Sequence, residues 1–318
     1  MKRKTNVFIY PLAIMLLILA ISYSCKKKKD DNTTPPPDVC TAVSNANAVN
    51  RGAFVRPVGI AISSSQRVAV SEYWGMDVYG GWIGNGVVAP VLIYASMSDV
   101  ITNNVYKPIN TTIAPEAVCF DAAENLYITE TETTAGISIY MAPDYTYLKT
   151  IQPGYFNPRG TAVDAEGNIY LADDGNHKVV KITDAIGAAN QTDFVVLDIA
   201  DSPKAVAISG NNIFIASYTT NKVYKYNLTN ATLAETLTID RPIDLHVSGC
   251  MLYVTSHGGT DGGYGTSSVK AYKLDALNAG IQKEYTGFSG IVFGIASDNG
   301  GNLYISDFTN GVIRKYTK

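Results

Sequence analysis

The chain has 318 residues, is 46% hydrophobic and 17% charged, and carries a net charge of −3. Length and apolar content together suffice for a sizeable core, which excludes a disordered chain. Setting aside the seven basic and two acidic residues of the first 31 positions leaves −8 without a Lys/Arg cluster, which argues against nucleic acid as a partner.

Residues 1–24 read as a targeting segment. Lys2-Arg3-Lys4 is a positive n-region, and 7–22 is an apolar core interrupted by Pro11 and short for a spanning helix. Ser22-Tyr23-Ser24-Cys25 resembles a bacterial lipobox, with Tyr23 departing from the strict pattern. The resemblance implies cleavage before Cys25 and a palmitate-type lipid on it; the alternative is an uncleaved amphiphilic anchor. Lys26 to Lys29 followed by Asp30-Asp31 resembles the export tags of Gram-negative surface lipoproteins; the alternative is a basic patch resting on anionic head groups. Thr33-Thr34-Pro35-Pro36-Pro37 is a semi-rigid spacer. The expected layout is signal peptide (1–24), lipidated tether (25–38) and globular domain (39–318). The expected location is the cell envelope, lipid-anchored at the outer membrane and surface-exposed.

The segment 157–183, NPRGTAVDAEGNIYLADDGNHKVVKIT, spells three short strands in order. They cover 161–164, 169–172 and 178–183, separated by a polar turn at 165–168 and a loop at 175–177. Six copies begin at Pro57, Pro115, Pro158, Pro203, Pro242 and Val292, at intervals of about 40–60 residues. Fourth strands are expected at 147–151, 194–199, 233–239 and 283–288. The sixth copy ends after its third strand, so 48–56 is expected to supply the fourth and shut the ring. Repeats of this length stack around an axis, which predicts an all-β, six-bladed β-propeller of four-stranded antiparallel blades, closed by an N-terminal strand. One helical turn is a candidate at 275–279.

GNIYLADDGNHKVVKI closely resembles an NHL repeat, and the resemblance extends over roughly 48–318. It implies a scaffold that hosts protein, RNA or ligand binding and, in a few members, lyase chemistry.

Two exceptions to the repeat are site candidates. Two and four residues after the marker, five copies carry small residues, whereas the fifth carries Asp244 and His246. Their spacing puts both on one side of a strand. Pairing Val247 with Leu252 would bring His257 to that side. Asp244, His246 and His257 then form a set suited to a divalent metal or to acid–base work, with His246 and Asp244 as the catalytic candidates. A pair that only fills a wet channel is the competing reading. The second exception is the long loop of the first copy, with Trp74, Tyr79 and Trp82, facing a loop in the fifth that carries Tyr264. Aromatic rings amid glycine suit a glycan or peptide; rings folded inward as a plug are the alternative. The acids ending strand two (Glu72, Glu130, Asp173, Asp307) and His177 fall on the repeat and read as structural, and Cys119 reads as a small buried hydrophobe.

Three functions follow: a membrane-anchored, monomeric binding module for a glycan, peptide or envelope protein; a metal-dependent propeller lyase or lactonase-like hydrolase; or a passive envelope scaffold. The first is the reading adopted.

Overall fold

Each copy of the repeat opens a strand at its marker residue. The computed structural model describes residues 54, 56–73, 90–111, 114–131, 136–152, 154–155, 157–258 and 267–318, with the backbone pairing of 45–49. The first strands are Pro57–Ile62, Pro115–Phe120, Pro158–Val163, Pro203–Ser209, Pro242–Ser248 and Val292–Ser297. Proline is tolerated there because the first position of a strand can do without a ladder donor. Six four-stranded antiparallel sheets form, one per copy. In blade three the strands are Pro158–Val163, Ile169–Asp173, Lys178–Thr183 and Asn190–Val196, the last beginning four residues before the expected 194.

The sixth blade takes Asn45–Val49 as its fourth strand, in register from Asn45↔Thr317 to Val49↔Ile313. It begins three residues before the expected 48–56. Phe54 cannot extend the strand because it is buried, edge-on to Tyr94 at 6.4 Å, in the core between blades six and one.

The turn between strands one and two is built by an Asp-x-x-x-Asn pair. Asp121, Asp164 and Asp298 each accept the backbone N–H of the Asn four residues on through Oδ1, and its side-chain amide through Oδ2, at 2.8–2.9 Å. Such a side chain closes a turn that the backbone alone would leave open. In two of these blades the aromatic residue of strand two adds a third bond: Tyr127 and Tyr304 each donate to their Asp at 2.9 Å.

Each of the six apolar cores joins two neighbouring blades, so no blade buries its faces alone. Close approach of the inner strands explains the small residue two after the marker in five of the six copies. A Cβ on Gly160 would sit 2.6 Å from Ala205 Cα in the next blade.

The strand-two acids are buried and structural as read. Asp307 accepts Arg314 Nε at 2.6 Å and the side-chain amide of Asn310 at 2.9 Å, and Asp173 accepts Asn176 Nδ2 at 2.7 Å. In blade four strand two ends on Ser217 instead, and Asp201 of the preceding loop takes the acid's place. It accepts from Ser217, Thr220 and Tyr224 at 2.5–2.9 Å, and although burial opposes ionisation, these hydroxyls hold its carboxyl below the usual range. His177 is structural too, its Nδ1 2.6 Å from the Asp201 carbonyl oxygen. Cys119 packs partly buried beside the core of blades two and three.

One α-helix and the Cys250 disulfide were not foreseen, whereas a turn at 275–279 was. Met97–Thr102 is an α-helix, capped by Ser96, whose hydroxyl oxygen accepts the Asp99 N–H at 3.3 Å. The expected turn at 275–279 is a 3-10 helix at Leu277–Ala279. Cys250 is disulfide-bonded, while Cys119 is free.

Candidate functional site

The first strands of all six blades line a central cavity of 470 Å³. Where the inner strands crowd the axis its walls are small residues such as Gly59, Ala117, Gly160 and Ala162, with Val and Ile residues between them. Polar chemistry is therefore confined to a few positions in the channel and to its mouth.

Inside the channel, Asp244 and His246 project from strand one of blade five toward strand one of blade six. Asp244 Oδ2 accepts the Ile295 N–H at 2.9 Å, and His246 Nε2 lies 2.8 Å from Ser297 Oγ. Burial pushes the Asp244 carboxyl up to about 7, against the pull of the Ile295 and Leu245 N–H groups. Burial pushes the His246 imidazole down to about 4. The pair is a neutral histidine beside a carboxyl that titrates near neutrality.

His257 does not join them. Strand one of blade five has a bulge between Pro242 and Asp244, so the His257 N–H bonds the Arg241 carbonyl rather than a residue below the bulge. Its ring is buried between Tyr218 and Phe293, at 6.3 and 5.3 Å between centroids. Nε2 lies 3.3 Å from the Val292 carbonyl oxygen. Burial brings its pKa to about 4, a shift that the Val292 bond opposes and the Arg241 charge reinforces. The three side chains thus reach Val292, Ile295 and Ser297, points spread over roughly 15 Å of strand at ~3.3 Å per residue. Among the described residues, no three His, Cys, Asp or Glu side chains gather as metal ligands.

The mouth holds what the sequence reading passed over. The residue directly after the marker is Glu116, Arg159 and Lys204 in blades two to four, and Phe293 in blade six. The residue following strand two is Tyr73, Asp174, Tyr218 and Phe308 in blades one, three, four and six. These two columns meet. Arg159 pairs with Glu116 through Nη1, and its Nε lies 3.7 Å from Asp174 Oδ2. Lys204 Nζ is 2.5 Å from the same oxygen. All four side chains are less than a quarter exposed, so these pairs are partly desolvated. Burial works to lower the Arg159 pKa, but Glu116 and Asp174 raise it overall. Burial and the Arg159 charge lower Lys204. The Arg159 Nε is buried without a hydrogen-bond partner among the described residues.

An aromatic arc continues from Lys204. Its Nζ lies 5.9 Å from the Tyr218 ring, and contacts then run through His257, Phe293 and Phe308 to Tyr73. Arg56 sets its guanidinium 5.5 Å from the Phe308 ring centre and makes no ion pair among the described residues. Reading the column directly after the marker would have found the charged half. Cys25, Trp74, Tyr79, Trp82 and Tyr264 lie outside the described residues.

Residues 157–182 match the NHL repeat family. No curated protein matches the sequence significantly. Solved structures are similar in fold. A chain of a nidogen/laminin complex aligns at TM-score 0.60 and 15% identity, over 76% of this chain and 85% of that one. Virginiamycin B lyase from Staphylococcus aureus aligns at 0.58 and 15%, over 87% and 99%. Hydrazine synthase from Kuenenia stuttgartiensis aligns at 0.56 and 18%, over 80% and 75%. At these identities the likeness is one of fold. The chain is a six-bladed β-propeller whose third blade carries an NHL repeat.

Proposed function

We propose that the chain is a membrane-anchored extracytoplasmic binding module that takes its ligand at the top mouth of the propeller. The observation that carries this reading is the run of charged and aromatic side chains at the mouth of the central channel. Partly desolvated charges and rings at a concave opening are what a specific ligand site needs. The nidogen/laminin likeness is in keeping with a propeller that meets a partner. Anchoring is assigned to Cys25, and the Cys250 disulfide accords with an oxidising compartment outside the cytoplasm. Trp74, Tyr79, Trp82 and Tyr264 are assigned to the same ligand.

An acid–base lyase is the second reading, favoured by Asp244 titrating near neutrality within the cavity and by the virginiamycin B lyase likeness. It ranks below binding because Asp244 Oδ2 and His246 Nε2 are each engaged by a separate group of blade six.

Glycan and peptide arrays probed with the full chain and with Arg159→Ala test the proposal. A hit weakened at least tenfold by the substitution supports it, with Trp74→Ala and Trp82→Ala expected to act likewise. Binding that ignores all three changes would place the site elsewhere.

A further inference from the structure

We infer, resting on the reading of the top mouth as the binding surface, that its ligand is an acidic saccharide, a glycan bearing a uronate or sialate carboxylate. The run Glu116, Arg159, Asp174, Lys204 alternates acceptor and donor around one side of the mouth. A hydroxyl donates one hydrogen bond and accepts others, so a polyol can use both kinds of group at once.

On the other side, Tyr73, tilted against Phe308, offers a ring against which the C–H face of a sugar packs. Arg56 supplies the anion selectivity. It lies over the Phe308 ring and forms no ion pair among the described residues. Stacking occupies the face of a guanidinium and leaves its in-plane N–H fork for a carboxylate. Arg56, Arg159 and Lys204 against Glu116 and Asp174 make this part of the mouth net positive on a chain of net charge −3. A peptide fits less well. An apolar anchor side chain finds no open ring pair here, because Phe293 and Phe308 pack edge-to-face on each other at 5.2 Å.

The test is calorimetric titration of the full chain with oligogalacturonate and sialyl-oligosaccharide probes, each beside its neutral methyl ester. An acidic probe binds, and its ester binds at least tenfold more weakly. Arg56→Ala weakens the acidic probe at least tenfold with an unchanged melting temperature, and Arg56→Lys falls between. Equal binding of ester and acid, no binding of any acidic probe, or indifference to Arg56→Ala overturns the inference. If peptides or neutral glycans bind instead and Arg159→Ala abolishes that binding, the ligand class is wrong while the top-mouth site stands. If no array ligand depends on Arg159, both fail.

Discussion

Lys204 Nζ lies 2.5 Å from Asp174 Oδ2 across the seam between blades four and three. The same carboxylate accepts Ser202 Oγ at 2.5 Å and Asn157 Nδ2 at 2.9 Å, and it faces Arg159. One acid therefore organises two cations and two neutral donors. Asp174→Asn removes the counter-charge and leaves Arg159 and Lys204 repelling each other. A loss of about 1–3 kcal/mol is expected, the usual cost of stranding partly buried polar partners. Lys204→Met, which removes a cation and keeps the stem, should cost less. Chemical denaturation of both variants decides it; an Asp174→Asn midpoint equal to wild type would refute the hub.

Asp244 and His246 act on stability in opposite senses as pH changes. Asp244 titrates at about 7 in the fold against 3.8 as its reference. Between those values the folded chain holds the extra proton, so stability falls as pH rises toward 7. His246 titrates at about 4 against 6.5, so the unfolded chain holds the extra proton and stability falls as pH drops below 6.5. Asp244→Asn should then be more stable than wild type at pH 8 and equal to it near pH 4. A shift of one pKa unit is worth about 1.4 kcal/mol. Because the channel wets the side chain, a gain of roughly 1–2 kcal/mol is expected rather than the full conversion. His246→Gln should flatten the acid limb. Parallel melting curves across pH 4–8 for wild type and Asp244→Asn would show that the carboxyl is not desolvated.

The blades were legible because their markers are physical necessities. A strand-initial Pro in five blades, an Asp-x-x-x-Asn turn in three and small residues at the axis in five each solve a local problem set by the repeat. The site was legible only in part. Asp244 and His246 stood out as exceptions to a small-residue column, and they do share a side of their strand. The bulge after Pro242 was silent in the sequence, and it sets His257 opposite Arg241 rather than opposite Pro242. His257 therefore keeps the side of the sheet that Asp244 takes, opposite Thr255, but lies farther along the strand and packs on Phe293. The helix at Met97–Thr102 had a signal in Ser96-x-x-Asp99. The charged half of the mouth was also written in the sequence, one residue after the marker, where no single copy looks exceptional.

Gly160 is expected to tolerate no side chain. A Cβ there meets Ala205 Cα at 2.6 Å and the Lys204 carbonyl oxygen at 2.9 Å, both backbone atoms of the next blade. Gly160→Val should destabilise by about 1–3 kcal/mol through overpacking. It should also weaken ligand binding, because blade four would move with Lys204. A thermal melt within a degree of wild type would mean the inner strands part more easily than their packing implies.

Membrane attachment is predicted to depend on Cys25. In cells producing Cys25→Ala, incorporation of labelled palmitate should vanish and the chain should leave the membrane fraction, since a stable anchor requires the acyl chain. Label retained in the variant would move the lipid elsewhere or support the uncleaved anchor.

Ring closure rests on five backbone pairs between Asn45–Val49 and Val312–Thr317. Without them the third strand of blade six becomes an open edge, and an open edge recruits other chains. Truncation before residue 50 also removes the cysteine that pairs with Cys250, so the chains are compared under reducing conditions. A chain beginning at residue 50 should form concentration-dependent oligomers and melt at least several degrees below one beginning at residue 39. Proline at Asn47 should act in the same direction more mildly, by taking one donor from the centre of the closing strand. If both truncated and proline-bearing chains stay monomeric with unchanged melting, the apolar contact between blades six and one closes the ring unaided.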